Sequence, residues 1–231
     1  EREKLYMQES MDAAIINAYR AAGADLNITG TISEVSFIAE EADTDLKIGD
    51  EIIRANQVEI HSLDDLKKVI EGLDEKEKVR LDVIRDDEEK ECFAYTYKTD
   101  DGMKIGVSLL TTYEYTTTPE VSITSKASEA GSSGGLMMSL TIYNSLVPED
   151  ITGGKKIVGT GTIDIDGNVG EIGGVKYKLI GAVKNDADVF ICPEENYEEA
   201  IEVALDKDYD IPIISVSTFL EAIEALEELN N

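Results

Sequence analysis

The sequence predicts a protein of mixed helices and strands, of the α/β or α+β class. Three- and four-residue spacing of apolar side chains indicates one long helix at the start, over residues 4–22. Residues 25–98 have the pattern of a compact β-rich unit with a single helix, and strands alternate with helices towards the end of the chain. We therefore expect a β-rich unit that separates the first helix from later layers of strands and helices.

The β-rich unit consists of short alternating runs bounded by polar turns. The run NITGTISEV is β-branched, and two strand-like runs follow at 51–54 and 57–60. Ser62 is placed to cap the helix SLDDLKKVIEGL, whose early aspartates suit the positive end of the helix dipole. KVRLDVIRD and ECFAYTYK predict two strands joined by a charged turn, and further strands are expected near 104–112 and 120–125.

The second half of the chain carries the apolar segments of a layered fold. A Gly/Ser loop precedes the apolar helix LMMSLTIYNSLV, and a Gly-rich, strand-like stretch follows with a tight turn at Asp166-Gly167. The remaining elements alternate in the order helix VKYKLIGAVKND, strand ADVFICP, helix NYEEAIEVALD, strand IPIISVS and helix TFLEAIEALEEL. Such alternation is typical of strands covered by helices.

Composition argues against several classes of partner. A net charge of −28 disfavours nucleic acid and anionic membrane surfaces, whose phosphates would be repelled. One histidine and two separated cysteines, Cys92 and Cys192, do not make a zinc site, so we expect no metal and no cofactor. Both cysteines lie in apolar runs and are predicted to be buried free thiols. No apolar stretch is long enough to span a membrane, although a start at Glu1 without methionine suggests a preceding segment.

The stretch EAGSSGGLMM, residues 129–138, places two serines between glycines ahead of an apolar helix. A phosphate-binding loop would need a lysine after the glycines, where two apolar residues stand instead. Gly131–Gly135 fits the nucleophile elbow G-x-S-x-G, but that elbow requires a later histidine, and His61 lies far upstream. On these residues alone, Ser133 is either the cap of the next helix or a nucleophile activated by a lysine.

Two lysines in GGVKYKLIGAV, Lys176 and Lys178, are candidates for that base. A lysine amine accepts a proton only when neutral, and with a reference pKa of about 10.4 it needs desolvation or nearby positive charge. Both lysines follow Gly173-Gly174 at the start of an apolar helix, where we expect them to be partly buried near the positive end of the helix dipole. The alternative is that both are ordinary solvated surface charges.

Four segments resemble the proteolytic domain of Lon proteases, which are Ser-Lys peptidases. GSSGG stands where the family has G-P-S-A-G, and VGTGTIDIDGNVGEIGGVKYKLIGA resembles its M-T-G-E-I-T-x-x-G-x-V-x-P-I-G-G-[LV]-K-x-K-x-x-A. ADVFICPEENYEE and MQESMDAA resemble its V-x-x-P-x-x-N strand and its M-Q-E-S-x-x-A-A helix. By this resemblance Ser133 is the nucleophile and Lys178 the catalytic lysine. Thr160 matches a threonine that supports the dyad, and we expect it to hydrogen-bond Lys178.

A second resemblance accounts for the β-rich unit. ISEVSFIAEEADTDLKIGDEIIRANQVEIHSLDDLKKVIEGL resembles a bacterial PDZ domain, with its L-K-x-G-D-x-I turn and S-x-x-D-L helix. This implies an α+β fold in which a PDZ domain, 25–98, is inserted between the first helix, 1–24, and the remainder of a Lon-type proteolytic domain, 99–231. PDZ domains bind peptides by strand addition beside a helix. The resemblance therefore implies a groove formed by Thr29, Gly30, Thr31, Ile32, Leu66, Val69 and Ile70.

The combination resembles the membrane-anchored PDZ–Lon-like proteases of Gram-positive bacteria, which act outside the membrane. It implies an ATP-independent serine endopeptidase that cleaves peptides or proteins presented by the PDZ domain. The enzyme would lie on the extracellular face of the cell membrane, behind an anchor that precedes residue 1. Homo-oligomers are left open, because Lon-like domains often form rings.

Two other functions remain open. One is a catalytically silent peptide-binding module, favoured by Ser132 and Gly134 where the family has Pro and Ala. Glycine loosens a turn that proline would fix. The other is a small-molecule esterase, which the absence of a later histidine disfavours.

Overall fold

The computed structural model describes residues 2–123 and 131–230. The chain divides into two compact units. The first unit contains Glu1–Glu9 and Ile28–Tyr115, and the second contains Ser10–Asn27 and Thr116–Asn231.

The first unit extends past residue 98, where the sequence prediction ended the inserted domain. Strand β8, Val107–Thr118, begins inside this unit and pairs with β1, Asp25–Ile38, at the edge of its sheet. A segment that sequence reasoning assigned to the following domain therefore supplies the last strand of the first unit.

Helix α1, Arg2–Ala22, confirms the long first helix that apolar spacing predicted. Its apolar stripe is buried at Ala14, Ile16 and Tyr19. The Tyr19 hydroxyl donates a 2.6 Å hydrogen bond to the Pro119 carbonyl, so this buried ring keeps a partner for its polar end. Within the described residues, no helix combines the length and the apolar character that crossing a membrane requires. The predicted anchor and extracellular location stay predictions.

The first unit is built on a six-stranded sheet, in which β1 and β8 are joined by four further strands: β2 (Glu51–Ala55), β3 (Val58–Glu59), β4 (Lys78–Arg85) and β5 (Glu88–Tyr95). The order is β5-β4-β2-β1-β8, with β3 paired to β2. The pairings β1–β2, β2–β4 and β4–β5 are antiparallel. A separate hairpin of β6 (Tyr97–Thr99) and β7 (Gly102–Lys104) leads into β8.

One helix covers the core of this sheet. Helix α2, Leu63–Glu71, begins after Ser62, whose hydroxyl accepts the Asp65 N–H as the sequence predicted. Leu66 and Ile70 on its inner face pack in the same apolar cluster as the strands. Buried and more exposed residues alternate along β4, as in a half-buried strand, and Val79, Leu81 and Val83 point into that cluster.

The second unit combines a parallel sheet, a hairpin and four further helices among the described residues: α3 (Gly135–Leu146), β9 (Ile157–Gly159), β10 (Thr162–Ile163), β11 (Val169–Gly170), α4 (Val175–Lys184), β12 (Val189–Pro193), α5 (Glu194–Lys207), β13 (Ile213–Val216) and α6 (Phe219–Glu228). Strands β13, β12 and β9 form the parallel sheet in that order, and β10 pairs with β11. Every residue of β12 is buried, as its continuous apolar run predicts. The antiparallel sheet of the first unit and this mixed second unit confirm the α+β class.

Two further sequence predictions have clear outcomes. The strand expected near 120–125 is absent over Val121–Ile123, which belong to no strand, and its last two residues lie outside the described ones. Cys92 and Cys192 are buried and free, as predicted. Burial raises the pKa of both thiols, that of Cys192 to about 11, so neither is suited to act as a nucleophile.

A buried ion pair fixes the turn that resembles the PDZ pattern L-K-x-G-D-x-I. The side chain of Asp50 is 1% exposed, and its two oxygens accept hydrogen bonds of 2.6 Å and 2.6 Å from the Arg85 guanidinium. A third bond, of 2.7 Å, comes from the Lys47 N–H. The carboxylate is thus fully satisfied inside the first unit.

Arg85→Met is expected to lower the free energy of unfolding of the first unit by about 3–5 kcal/mol, because it leaves the Asp50 carboxylate buried without its partner. Arg54→Met is the matched control: the side chain of Arg54 is 39% exposed, so the loss should be much smaller. Hydrogen exchange of the β4 and β5 amides in the full chain measures both. Equal effects of the two variants would contradict this account of the turn.

Candidate active site

Ser133 lies in a single 3-10 turn, Ser132–Gly134, directly before α3. Its main-chain carbonyl accepts two hydrogen bonds, one of 2.9 Å from the Thr160 hydroxyl and one of 2.9 Å from the Gly161 N–H. Ser133 itself is half-buried. The turn is therefore held firmly at its backbone, while the residue that carries the hydroxyl keeps access to the surface.

Thr160 connects this turn to the parallel sheet. It follows β9 and is 1% exposed, and its N–H donates a 3.0 Å hydrogen bond to the Ile191 carbonyl in β12. The sequence analysis predicted a hydrogen bond between its hydroxyl and Lys178. In the structure the hydroxyl donates to the Ser133 carbonyl, because the chain after β9 passes directly beneath the serine turn. Thr160 thus holds the backbone of the serine turn in position.

Lys178 lies in the first turn of α4, and its Nζ is 3.3 Å from the Ser133 Oγ. Gly174 precedes the helix with a φ of 76°, a left-handed conformation that glycine adopts without strain. Val175 and Leu179 are fully buried and fix the helix against the sheet. The sequence correctly placed Lys178 near a helix N-terminus, but the expected partial burial is wrong: the residue is exposed.

The two serines of the loop have different surroundings. The Lys178 Nζ contacts the hydroxyl of Ser133, whereas Lys176 is exposed on the same helix. The Ser132 carbonyl accepts hydrogen bonds from the Gly135 N–H and, at 3.3 Å, from the Ser10 hydroxyl. Ser132 therefore belongs to the support of the turn through its backbone.

Ser10 also supports the serine turn, a role that the sequence analysis did not assign to it. It lies in the MQES segment of α1, is 2% exposed, and packs so closely on the loop that a Cβ at Gly135 would lie 2.8 Å from its Oγ. Only glycine fits at that point. A small polar residue on the apolar stripe of α1 was the signal that could have identified it, since a buried hydroxyl needs a partner.

A cleft of about 510 Å³ opens between α2 and the segment Lys104–Ser108 of the first unit, and we call it the α2 cleft. Leu66 and Ile70, two of the predicted groove residues, line it. Because β8 is the edge strand of the sheet, its first residues face α2 across this space. A peptide added to that edge would lie between strand and helix.

The other predicted groove residues lie elsewhere. Thr29, Gly30, Thr31 and Ile32 are in the part of β1 that pairs with β8, where the Thr29 hydroxyl donates to the Glu114 carbonyl at 3.2 Å and the Glu114 side chain covers Gly30. Val69 packs against the core beneath α2. Residues 29–32 therefore do not line the α2 cleft, and the strand edge beside the cleft is the start of β8, at Val107 and Ser108.

Within residues 2–123 and 131–230, no group of three or more His, Cys, Asp or Glu side chains is arranged to hold a metal ion.

Family models match both units. A model described as the Lon protease (S16) C-terminal proteolytic domain matches residues 116–228, and one described as the PDZ domain matches residues 25–93. The chain is 33% identical over 95 residues to the Lon protease of Campylobacter jejuni, a match that spans 41% of this chain but 12% of that relative. The serine turn, Thr160 and Lys178 all lie inside the region that the Lon model matches.

One solved structure is also similar in part. The crystal structure of the PDZ domain of the SdrC-like protein from Listeria monocytogenes aligns with a TM-score of 0.32 at 17% identity, and covers 36% of this chain and 92% of that chain. At that TM-score the likeness adds nothing to the family matches.

Gly135→Ala is expected to lower the free energy of unfolding by about 1–3 kcal/mol, although alanine is the better helix former. The added Cβ would lie 2.8 Å from the Ser10 hydroxyl and 2.8 Å from a methyl of Ile163. Gly134→Ala is the matched control, because nothing lies within 4 Å of its Cβ. Urea unfolding of the full chain measures both, and an equal stability of the two variants would show that the loop and α1 are not packed as described.

Proposed function

We propose that this chain, whose two units match family models of the PDZ domain and of the Lon C-terminal proteolytic domain, is a PDZ-containing Lon-like protease, an ATP-independent serine endopeptidase with a Ser-Lys dyad. The observation that carries the proposal is the 3.3 Å contact between the Lys178 Nζ and the Ser133 Oγ. This distance is within reach for proton transfer between a base and a nucleophile. It joins the two residues that the motifs name separately, from segments 45 positions apart.

In the proposed reaction, the Lys178 amine is the general base. It accepts the proton of the Ser133 hydroxyl while Oγ attacks the carbonyl carbon of a peptide bond. Lys178 then gives this proton to the leaving amine, and the C–N bond breaks to leave an acyl group on Oγ. Water attacks that ester with Lys178 again as the base, which releases the second product and restores the serine.

The oxyanion of this reaction needs hydrogen-bond donors close to Ser133. Two backbone N–H groups at the start of α3 are already used: that of Gly135 donates to the Ser132 carbonyl, and that of Leu136 donates to the Gly161 carbonyl at 3.1 Å. We therefore assign the oxyanion to the N–H group of Ser133 itself, which precedes both of these donors.

Thr160 is a positioning residue in this scheme. Its hydroxyl and the adjacent Gly161 N–H hold the Ser133 carbonyl, which fixes the direction in which the Cα–Cβ bond leaves the backbone. A misplaced nucleophile slows attack steeply, because the reaction needs aligned atoms at close range. This support explains how the turn is ordered with Ser132 and Gly134 in place of Pro and Ala.

The α2 cleft is the proposed site for presenting peptides to the protease. The edge of β8 offers strand pairing, and Leu63, Leu66 and Ile70 offer apolar contacts for side chains of the peptide. ATP independence stays a proposal, in keeping with the lack of a G-x-x-x-x-G-K-[ST] segment in residues 1–231. Homo-oligomers, the anchor and the extracellular location stay predictions.

Ser133→Ala and Lys178→Ala are each expected to reduce cleavage of a fluorogenic peptide by at least about 1,000-fold, because one removes the nucleophile and the other its base. Ser132→Ala and Lys176→Ala are the matched controls and should retain activity within about tenfold. Steady-state kinetics on purified full chains, with circular dichroism to confirm folding, measures all four. Cleavage that survives in Ser133→Ala would refute the assignment.

Leu63→Glu is expected to lower the ratio of kcat/KM for a folded or long substrate to kcat/KM for a short peptide by roughly tenfold, equivalent to about 1.4 kcal/mol of binding. Leu63 lines the α2 cleft at the first position of the helix, where an acidic residue suits the dipole and should preserve folding. Val58→Glu, at an exposed residue outside the cleft, is the control. An unchanged ratio would mean that the cleft does not recruit substrates.

A further inference from the structure

The hydroxyl of Ser10 is bonded to the peptide unit that carries the Ser133 N–H. Ser10 is 2% exposed in α1, and its hydroxyl donates a 3.3 Å hydrogen bond to the Ser132 carbonyl. The same carbonyl accepts the Gly135 N–H. A trans peptide unit is planar, with its C=O and N–H on opposite sides, so a group that holds the Ser132 carbonyl also sets the direction of the Ser133 N–H. Ser10 therefore acts on the group to which we assign the oxyanion.

The position of the Ser10 hydroxyl is narrowly defined. A Cβ at Gly135 would lie 2.8 Å from the Ser10 Oγ, so the glycine allows α1 to approach the serine turn this closely. A buried hydroxyl needs a hydrogen-bond partner, which the Ser132 carbonyl supplies. Ala13 and Ala14, about one turn further along α1, are buried as well, so the helix that carries the hydroxyl is itself fixed.

Ser133 is thus held through both of the peptide units that flank it. The unit before it is held at the Ser132 carbonyl by the Ser10 hydroxyl, and the unit after it is held at the Ser133 carbonyl by the Thr160 hydroxyl. Between two planar units, the backbone of a residue can rotate only about its own φ and ψ. Fixing both units therefore keeps the nucleophile and the N–H beside it in one relative geometry.

We propose that Ser10 is a positioning residue for catalysis, which aims the Ser133 N–H at the oxyanion through its hydrogen bond to the Ser132 carbonyl. The proposal rests on the proposed function, since the oxyanion forms only when Ser133 attacks a carbonyl. A hydrogen bond accepted by a peptide unit also polarises that unit and strengthens its N–H as a donor. The negative charge that develops on the substrate oxygen is stabilised more than the uncharged substrate is, so the effect belongs to kcat rather than to KM.

Ser10→Ala tests this role, because it removes the hydroxyl and leaves the Gly135 N–H on the Ser132 carbonyl. It should lower kcat for a fluorogenic peptide by about tenfold and change KM by less than about twofold. The inhibition constant of a peptide boronate, which binds as a tetrahedral adduct resembling the transition state, should rise by the same factor as kcat falls. Circular dichroism and urea unfolding of the full chain confirm that the variant is folded.

Ser139→Ala is the matched control. The Ser139 hydroxyl is also buried, and it donates a 3.0 Å hydrogen bond to the Gly135 carbonyl within α3. Both variants thus lose one buried hydroxyl and its bond to a main-chain carbonyl, and they should lose similar stability. Ser139→Ala should keep kcat within about twofold, because its hydroxyl does not bond the peptide unit of the Ser133 N–H. An equal loss of kcat in both variants would mean that Ser10 supports only the fold, and would overturn the proposal.

The pH profile of kcat/KM distinguishes an action on the Ser133 N–H from an action on the base. In Ser10→Ala the whole profile should fall by one factor and keep its midpoints, because the environment of the Lys178 amine is unchanged. A shifted midpoint would show that Ser10 acts through Lys178, which would contradict the proposed role.

The outcomes separate this inference from the function on which it rests. If the unaltered chain cuts peptides, Ser133→Ala does not, and Ser10→Ala keeps its kcat, the protease stands and the role of Ser10 is refuted. If the unaltered chain cuts no peptide, the proposed function fails and the inference fails with it.

Discussion

The main-chain carbonyl of Ser133 is the point on which the site depends. Two donors on consecutive residues, the Thr160 hydroxyl and the Gly161 N–H, hold it, and Thr160 is itself bonded to β12 through the Ile191 carbonyl. A short Gly/Ser turn without such bonds would sample many backbone conformations. These two bonds hold the Gly/Ser turn in one backbone conformation, in which the Ser133 Oγ faces Lys178.

The hydrophobic core supplies the other half of the arrangement. Val175 and Leu179 of α4 pack with Phe190 and Cys192 of β12, so the strand that supports Thr160 also supports the helix that carries Lys178. The buried strand β12 thus supports both the serine turn and the helix that carries the lysine, on two sides. An exposed lysine side chain is held in place by its helix, and the core of the second unit sets the distance of 3.3 Å between Nζ and Oγ.

The resemblance to Lon proteases pointed to Ser133 and Lys178, and the structure brings the Lys178 Nζ within 3.3 Å of the Ser133 Oγ. The resemblance did not give the partner of the Thr160 hydroxyl, since that depends on how β9 passes the serine turn. The groove strand was misplaced for a similar reason: β8 reaches α2 from far along the sequence, while the nearer strand β1 was the local choice. The hydroxyl of Ser10 meets the loop 122 residues away, a contact that no local pattern contains.

Covalent labelling with a fluorophosphonate tests the central claim most directly, because it reports which hydroxyl is activated without any assumption about substrate. Mass mapping of the labelled full chain should find a single adduct on Ser133, and the rate of its formation should collapse when Lys178 is replaced by alanine. An adduct on Ser132, or labelling of Ser133 at an unchanged rate without Lys178, would contradict the dyad described above.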